Sequence, residues 1–454
     1  MAILAAHLND AGITFVNDEM IICQEPGFAL LENNNLITGS EAFANISIKP
    51  RQIQNQYWSN PQVELLSDYK FKNLSSADLV SAQFKKIWQS ISKKDDQLAI
   101  AIPAYMTHEN IGLLLGIAKE LNIPITYICD AAVCATRRHY KNAVLVHMDL
   151  SLHSILLSRL NQEGHVQIDR SVIIQECGLL AFYEKWLTII SEAFVKQSRF
   201  DPLHSADTEQ IIRDKLPFWF LKASNSPVIN LEIKYSDTIY RANIESKEFI
   251  SAAMSIYKKI ISNLRVLIKA GETPAIQLTD RASKILGLAK TVQEHIGGEC
   301  FLLEPGATAR GLIKRYKSSF EKSDLSLSQK LPWDQSEVVV RKNKSSKKGI
   351  LPTHILFEHH AYSLNEDPIV IGTKANNNER FIHIKESTPG VSRRHCVLSL
   401  KDGHFIVTDN SRYGTYLNEN KIEESALLQV GDVIKIGMPG LKLALISVED
   451  SFGS

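Results

Sequence analysis

Two short hairpin sequences set carboxylates beside residues that let a backbone approach a charged group. HLNDAGITF places Asp10, Gly12 and Thr14 at alternate positions, and HMDLSLHSILL (147–157) places Asp149 ahead of Ser151, Leu152, His153 and Ser154. A carboxylate is a hard oxygen ligand for a hydrated divalent cation. Glycine tolerates positive φ and close backbone approach. An Asp/Gly turn also serves an ordinary hairpin, and a histidine at a turn reads as solvated as readily as ligand-facing. Asp130 opens DAAVCATRR, where aspartate also suits a helix N-cap. A third group lies near the C-terminus: Thr373 and Lys374 after Gly372, then Ser392, Arg393, Arg394 and His395 in VSRRH, then Tyr413, Gly414 and Thr415 in DNSRYGTYLN.

The elements that must hold these residues alternate in the first two-thirds of the chain. LAIAIPAY (98–105) reads as a buried strand. The helix after it carries Ile111, Leu114, Leu115, Ala118 and Leu121 at helical spacing. Upstream, Ser75 and Asp78 form a capping-box pattern ahead of Val80, Phe84, Ile87 and Ile91 on one face. IPITYI and the Ala-rich segment after it supply another strand and helix, so the alternation predicts an α/β domain with a central sheet. Beyond residue 350 short strands separated by turns such as KDG (401–403) predict a small all-β sandwich. Between them, 317–349 is rich in Ser and Lys and ends in RKNKSSKKG, which predicts a flexible basic linker.

Bulk properties exclude several classes. A chain of 454 residues, 44% apolar and 22% charged, reads as a soluble protein of two or three domains. Its 51 basic and 50 acidic residues give no overall pull toward nucleic acid or a membrane surface. No apolar run is long enough to span a bilayer, and MAILAAHL lacks the basic leader and apolar core of a signal peptide. Six scattered cysteines without a CxxC fit buried thiols in a reducing cytoplasm.

The ordered series LAIAIPAY, helix, IPITYI, DAAVCATRRHY and the Asp149 hairpin resembles a block of the actin and heat-shock (DnaK-type) ATPase superfamily. ANIESKEFISAAMSIYKKIISNLRVLIKAG and LLEPGATARGLIKRY resemble its later segments. The resemblance spans residues 1–316. It implies a two-lobed actin-like (ribonuclease H-like) ATPase fold, split near residue 143, with ATP or ADP and Mg²⁺ in the cleft. Asp10, Gly12 and Thr14 then match the first phosphate hairpin, Asp149, Ser151 and Ser154 the second, and Asp130 the acidic residue near the attacking water. No side-chain cage for a metal is implied. The second hairpin departs from the family, with Leu152 and His153 standing where the family has glycines; non-glycine residues forced to φ > 0 there would cost roughly 1–2 kcal/mol each. Thr279 and Asp280 replace the paired glycines of the adenosine loop. The catalytic lysine has no clear counterpart, Lys49 and Arg51 being nearest. Hydrolysis is therefore expected to be very slow or absent, since it needs preplaced donors.

Residues 350–449 resemble a forkhead-associated (FHA) domain through Gly372, VSRRH, DNSRYGTYLN and LLQVGDVIKIG. The resemblance implies phosphothreonine recognition by Ser392, Arg393, Arg394, Tyr413, Gly414 and Thr415, with Thr373 and Lys374 in place of the family's arginine, Tyr413 in place of its asparagine, and His395 in a structural role; these departures leave two expectations, weakened phosphothreonine binding or an unphosphorylated partner. The linker holds no threonine between Thr308 and Thr353, so the expected partner is another protein. The leading expectation is a cytoplasmic interaction protein whose ATPase-like part is a platform or a nucleotide sensor that binds without turnover. The alternative is a working ATP-driven switch, with filament formation left open.

Overall fold

The computed structural model describes every residue except 1, 19, 69, 224–225, 317–325, 341–350, 359, 377–378 and 448–454. Two six-stranded sheets repeat one plan. In the first, Ile3–His7 is central. It pairs antiparallel with Ile13–Val16, which pairs with Ile21–Glu25; on its other side it pairs parallel with Gln97–Ile102, followed by Ile125–Asp130. In the second, Val144–Leu150 is central. It pairs antiparallel with Ser154–Asn161 and, beyond it, Val166–Gln175, and parallel with Pro274–Leu278 and then Glu299–Leu302. Each central strand ends in a turn, 8–12 or 151–153, and the two turns meet.

Local sequence explains the framing helices. Ser75 caps Ser76–Ile91 reciprocally: its Oγ accepts from the Asp78 amide at 3.1 Å, and its amide donates to Asp78 Oδ2 at 2.7 Å. Val80, Phe84 and Ile87 are buried, as are Ile111, Leu114 and Ala118 on His108–Glu120. In the second half Val228–Tyr235 alternates strictly, with Ile229, Leu231 and Ile233 turned inward. They join an aromatic core around Phe182, Trp186, Phe249 and Tyr257.

The segment expected to be a flexible linker differs over its described residues. Leu327–Ser328 extends the first sheet beside Ile128 and Cys129, Lys330–Leu331 extends the second beside Val166 and Gln167, and Val338–Val339 pairs with Tyr140–Lys141. Arg137 chelates Asp334, and Arg138 donates to Gln335 at 2.7 Å. Leu331 and Val340 are buried in the core shared by the two sheets. Two-residue strands on free sheet edges use backbone groups and a few apolar anchors, which leaves no periodic pattern to read. The basic run 341–349 lies outside the described residues.

The C-terminal part is a sandwich. One sheet orders His360–Ser363, His354–Phe357, Leu441–Ile446, Val433–Ile436, Tyr416–Leu417 and Asn420–Lys421; the other orders Arg380–His383, Ile369–Gly372, Cys396–Lys401, His404–Asp409 and Ser425–Leu427. The KDG turn is a tight hairpin with Asp402 and Gly403 both at positive φ (51° and 78°). The sandwich sits on helix Met254–Leu267, whose Val266 enters the sandwich core. Arg265 and Asp432 form a buried ion pair at 3.0 Å. Around it, Asn418 donates to Ser262 at 3.3 Å and Lys269 pairs with Glu424 at 2.9 Å.

Candidate functional site

Asp10 and Asp149 are brought together; protein groups hold Asp10 Oδ1 and both Asp149 oxygens, while Asp10 Oδ2 is buried with no hydrogen-bond partner among the described residues. Leu152 N donates to Asp10 Oδ1 at 2.8 Å, directly across the cleft. Asn9 Nδ2 donates to Asp149 Oδ2 at 2.8 Å and to the Leu150 carbonyl at 3.1 Å. Thr279 Oγ1 and Leu150 N donate to Asp149 Oδ1 at 2.9 and 3.0 Å. His7 Nε2 stands 3.2 Å from Asp149 Oδ2. Burial pushes the Asp10 carboxyl up to about 6 against the opposing Leu152 hydrogen bond and Arg281 charge. Burial also acts to raise Asp149, yet the adjacent His7, Arg281 and His147 hold it well below the usual carboxylate range.

Arg281 bridges the two turns. Its Nη2 donates to the Gly12 carbonyl and, at 2.9 Å, to Thr14 Oγ1, while Nη1 lies 3.8 Å from Asp149. A Cβ at Gly12 would come 3.1 Å from Arg281 Nε, so glycine here makes room for the arginine. The space left beside it, among His7, Thr14, Thr279, Arg281 and Thr308, is a cavity of about 10 Å³, enough for one water.

The second turn corrects the expected strain. Neither Leu152 nor His153 has positive φ. Leu152 is buried with Phe28, Leu30 and Ala42. His153 turns away from the cleft to Asn55, Nε2 to Oδ1 3.0 Å, and burial lowers its pKa. Gly178 lets helix Leu179–Ser198 dock on the turn, since any Cβ there would strike Leu152 and His153 backbone. The Leu179 and Leu180 amides then donate to Ser151 and Leu152 carbonyls at 2.9 and 3.1 Å. Ser151 and Ser154 are buried and bonded through the backbone, Ser151 N to Ser154 O at 2.9 Å. Asp130 caps Ala131–Ala135, accepting from Ala132 and Val133 amides at 2.8 and 3.2 Å, and burial pushes its pKa up to about 7. Lys49 pairs with Glu32 at 2.5 Å. Among the described residues, no group of three or more His, Cys, Asp or Glu could hold a metal ion.

The loop end of the sandwich is organised differently. His395 is buried and its pKa lowered by that burial. Its Nδ1 accepts from the Ser392 amide at 3.1 Å, which leaves Nε2 to donate to the Gly414 carbonyl at 3.2 Å. One imidazole thus ties two loops together. Thr373 N and Lys374 N donate to Ser392 and Arg393 carbonyls at 3.3 and 3.1 Å, bringing in a third loop. Gly372 permits this, because a Cβ would strike the Arg393 carbonyl. Thr373, Gly414 and Thr415 are buried, and Thr415 Oγ1 donates to Asp409 at 2.8 Å. Arg394 is neutralised by Glu379. Lys374, Arg393 and Tyr413 are exposed. Sequence reading missed Arg412: its amide donates to Ser392 Oγ at 3.2 Å and its side chain is exposed. Among the described residues Lys374, Arg393 and Arg412 have no acidic partner. The Ser392 hydroxyl, accepting from Arg412 N, keeps its own proton for an incoming oxygen.

Among the described residues no helix is long and apolar enough to cross a membrane. No curated protein matches the chain. The family model of the FHA domain matches residues 369–437, which span all three loops. The C-terminal sandwich of this chain is therefore an FHA domain, a protein-interaction module suited to phosphopeptides.

Proposed function

We propose that this chain is an interaction protein that captures a phosphothreonine-containing partner through its FHA loops. The observation that carries this is that Lys374, Arg393 and Arg412, exposed and without an acidic partner among the described residues, lie on the three loops that converge at Ser392. A dianionic phosphate supplies the missing charge and acceptors. The partner is a second protein, because 309–352 contains no threonine to offer in cis. The cytoplasm is the expected setting, and none of the six cysteines is paired.

The first 316 residues serve, on this reading, as a closed platform of the actin and DnaK-type kind. The repeated sheet plan and the two Asp-bearing turns at its centre support that kinship. The self-bonded cleft argues against turnover: Leu152 N, the Thr14 hydroxyl and Arg281, which would meet phosphate oxygens, are bonded to one another's loops. An ATP-driven switch is the competing reading, favoured by the juxtaposition of Asp10 and Asp149, and it requires Arg281 to leave the cleft.

Titrating the intact chain with fluorescent peptides in phosphothreonine and unmodified forms tests the leading reading. Phosphate-dependent binding is expected, with Ser392→Ala and Arg393→Ala each weakening it about tenfold or more, the scale of one charge-assisted hydrogen bond. Equal affinity for both forms, or binding untouched by both substitutions, overturns it.

A further inference from the structure

The two most exposed large apolar side chains of the sandwich among its described residues are Met438 and Tyr413, 72% and 63% exposed. Both belong to segments bonded to the Ser392 loop, Met438 through Pro389 and Tyr413 through its neighbour Arg412. Tyr413 lies between Arg412, whose amide reaches Ser392 Oγ, and Gly414, whose carbonyl holds His395. Met438 lies on the 437–440 turn. That turn is tied to the Ser392 loop by Met438 N donating to the Pro389 carbonyl at 2.8 Å, and it is packed so closely that a Cβ on Gly437 would come 2.6 Å from Val391.

Single exposed apolar residues need no explanation. Two that flank a cluster of three unpaired cations do, because the cations keep the site solvated and the apolar side chains gain nothing there unless covered. Apolar side chains in a bound segment would cover both while the phosphate satisfies the cations. Aromatic and methionine side chains are also the types enriched in contact surfaces. Tyr413 lacks the amide with which an asparagine would hold a peptide backbone, so this position offers apolar area and one hydroxyl in its place. Two acidic groups of this end are already engaged, Glu379 by Arg394 and Asp409 by Ser411 N and Thr415, while Glu386 is exposed on the segment leading to Pro389.

Resting on the phosphothreonine reading above, we infer that the FHA site selects phosphothreonine segments whose neighbouring residues are apolar, with Met438 and Tyr413 as the specificity-determining side chains. The occupant is thus a phosphorylated apolar segment of another protein rather than an acidic tract.

The test uses the intact chain and three phosphothreonine peptides, with Leu/Ile, Glu or Lys at the positions flanking the phosphothreonine, read by fluorescence anisotropy. The apolar peptide is expected to bind about tenfold tighter than the other two. Met438→Ser should narrow that preference while leaving affinity for the Glu- and Lys-flanked peptides unchanged, and Tyr413→Ser should narrow it as well. Arg393→Ala should weaken all three alike. If the three peptides bind equally and Arg393→Ala still weakens them, the apolar selection is wrong and the phosphate reading stands. If none binds in a phosphate-dependent way, both fall. Met438 is exposed and outside the core, so its substitution leaves the fold intact, and circular dichroism of the variant checks this.

Discussion

Replacing Arg281 with alanine perturbs the cleft at its centre. The guanidinium makes two hydrogen bonds to the first lobe, at Gly12 O and Thr14 Oγ1, and stands beside Asp149, with both side chains buried. Hydrogen bonds to a charged group contribute roughly 1.5–3 kcal/mol each. Leaving a buried charge without its partner costs about 3–5 kcal/mol. Asp149 keeps Asn9 and Thr279 as donors, and water can enter the vacated space, so the lower part of that range applies: about 3 kcal/mol. For a body of this size that corresponds to a fall in Tm of roughly 3–5 °C. Differential scanning fluorimetry with hydrogen exchange on the intact chain reads it, and exchange should accelerate in the turns 8–12 and 151–153. Arg281→Lys should recover part of the loss, since a point charge reaches one acceptor but not two. A Tm within about 1 °C of wild type, with exchange in both turns unchanged, would refute the idea that Arg281 ties the lobes.

Two further outcomes follow from the same physics. Asp10 and Asp130 have folded-state pKa values pushed up to about 6 and about 7, above the unfolded value near 4. Their contribution to stability is therefore fully present below about pH 4 and is lost as pH rises through 6 to 7. Urea midpoints should rise as pH falls from 7.5 to 5, and the double variant Asp10→Asn/Asp130→Asn should flatten that slope; an unchanged slope contradicts it. Arg265→Ala strands Asp432 in the interface between the FHA domain and helix Met254–Leu267, at a cost of about 3–5 kcal/mol. Small-angle scattering should then show a larger radius of gyration with the FHA domain itself still folded, and an unchanged radius argues against that docking.

The legible parts of the sequence were those set by local rules. The Ser75/Asp78 capping box, the apolar faces of the two first-lobe helices and the short strands of the FHA domain all appear where spacing placed them. The convergence of Thr373, Ser392, His395 and Gly414 was also readable, because it follows ordered motifs. What escaped depends on contacts between distant segments. Arg281 acts on Gly12, 269 positions away, and nothing in its own neighbourhood fixes that direction. The strap at 326–340 pairs through backbone groups that leave no side-chain signature. The cost assigned to Leu152 and His153 assumed a glycine-like backbone; the turn instead adopts ordinary φ values and turns Leu152 into a small core. Arg412 is invisible until its amide is seen on Ser392.

The most direct test of the closed platform is isothermal titration of the intact protein with ATP and Mg²⁺. The turn-to-turn bond Leu152 N–Asp10 and the Arg281 bridge predict no binding heat at concentrations up to about 1 mM, weaker than roughly −4 kcal/mol. Binding tighter than about 10 μM that disappears in Asp10→Ala would contradict it and restore the ATP-driven switch.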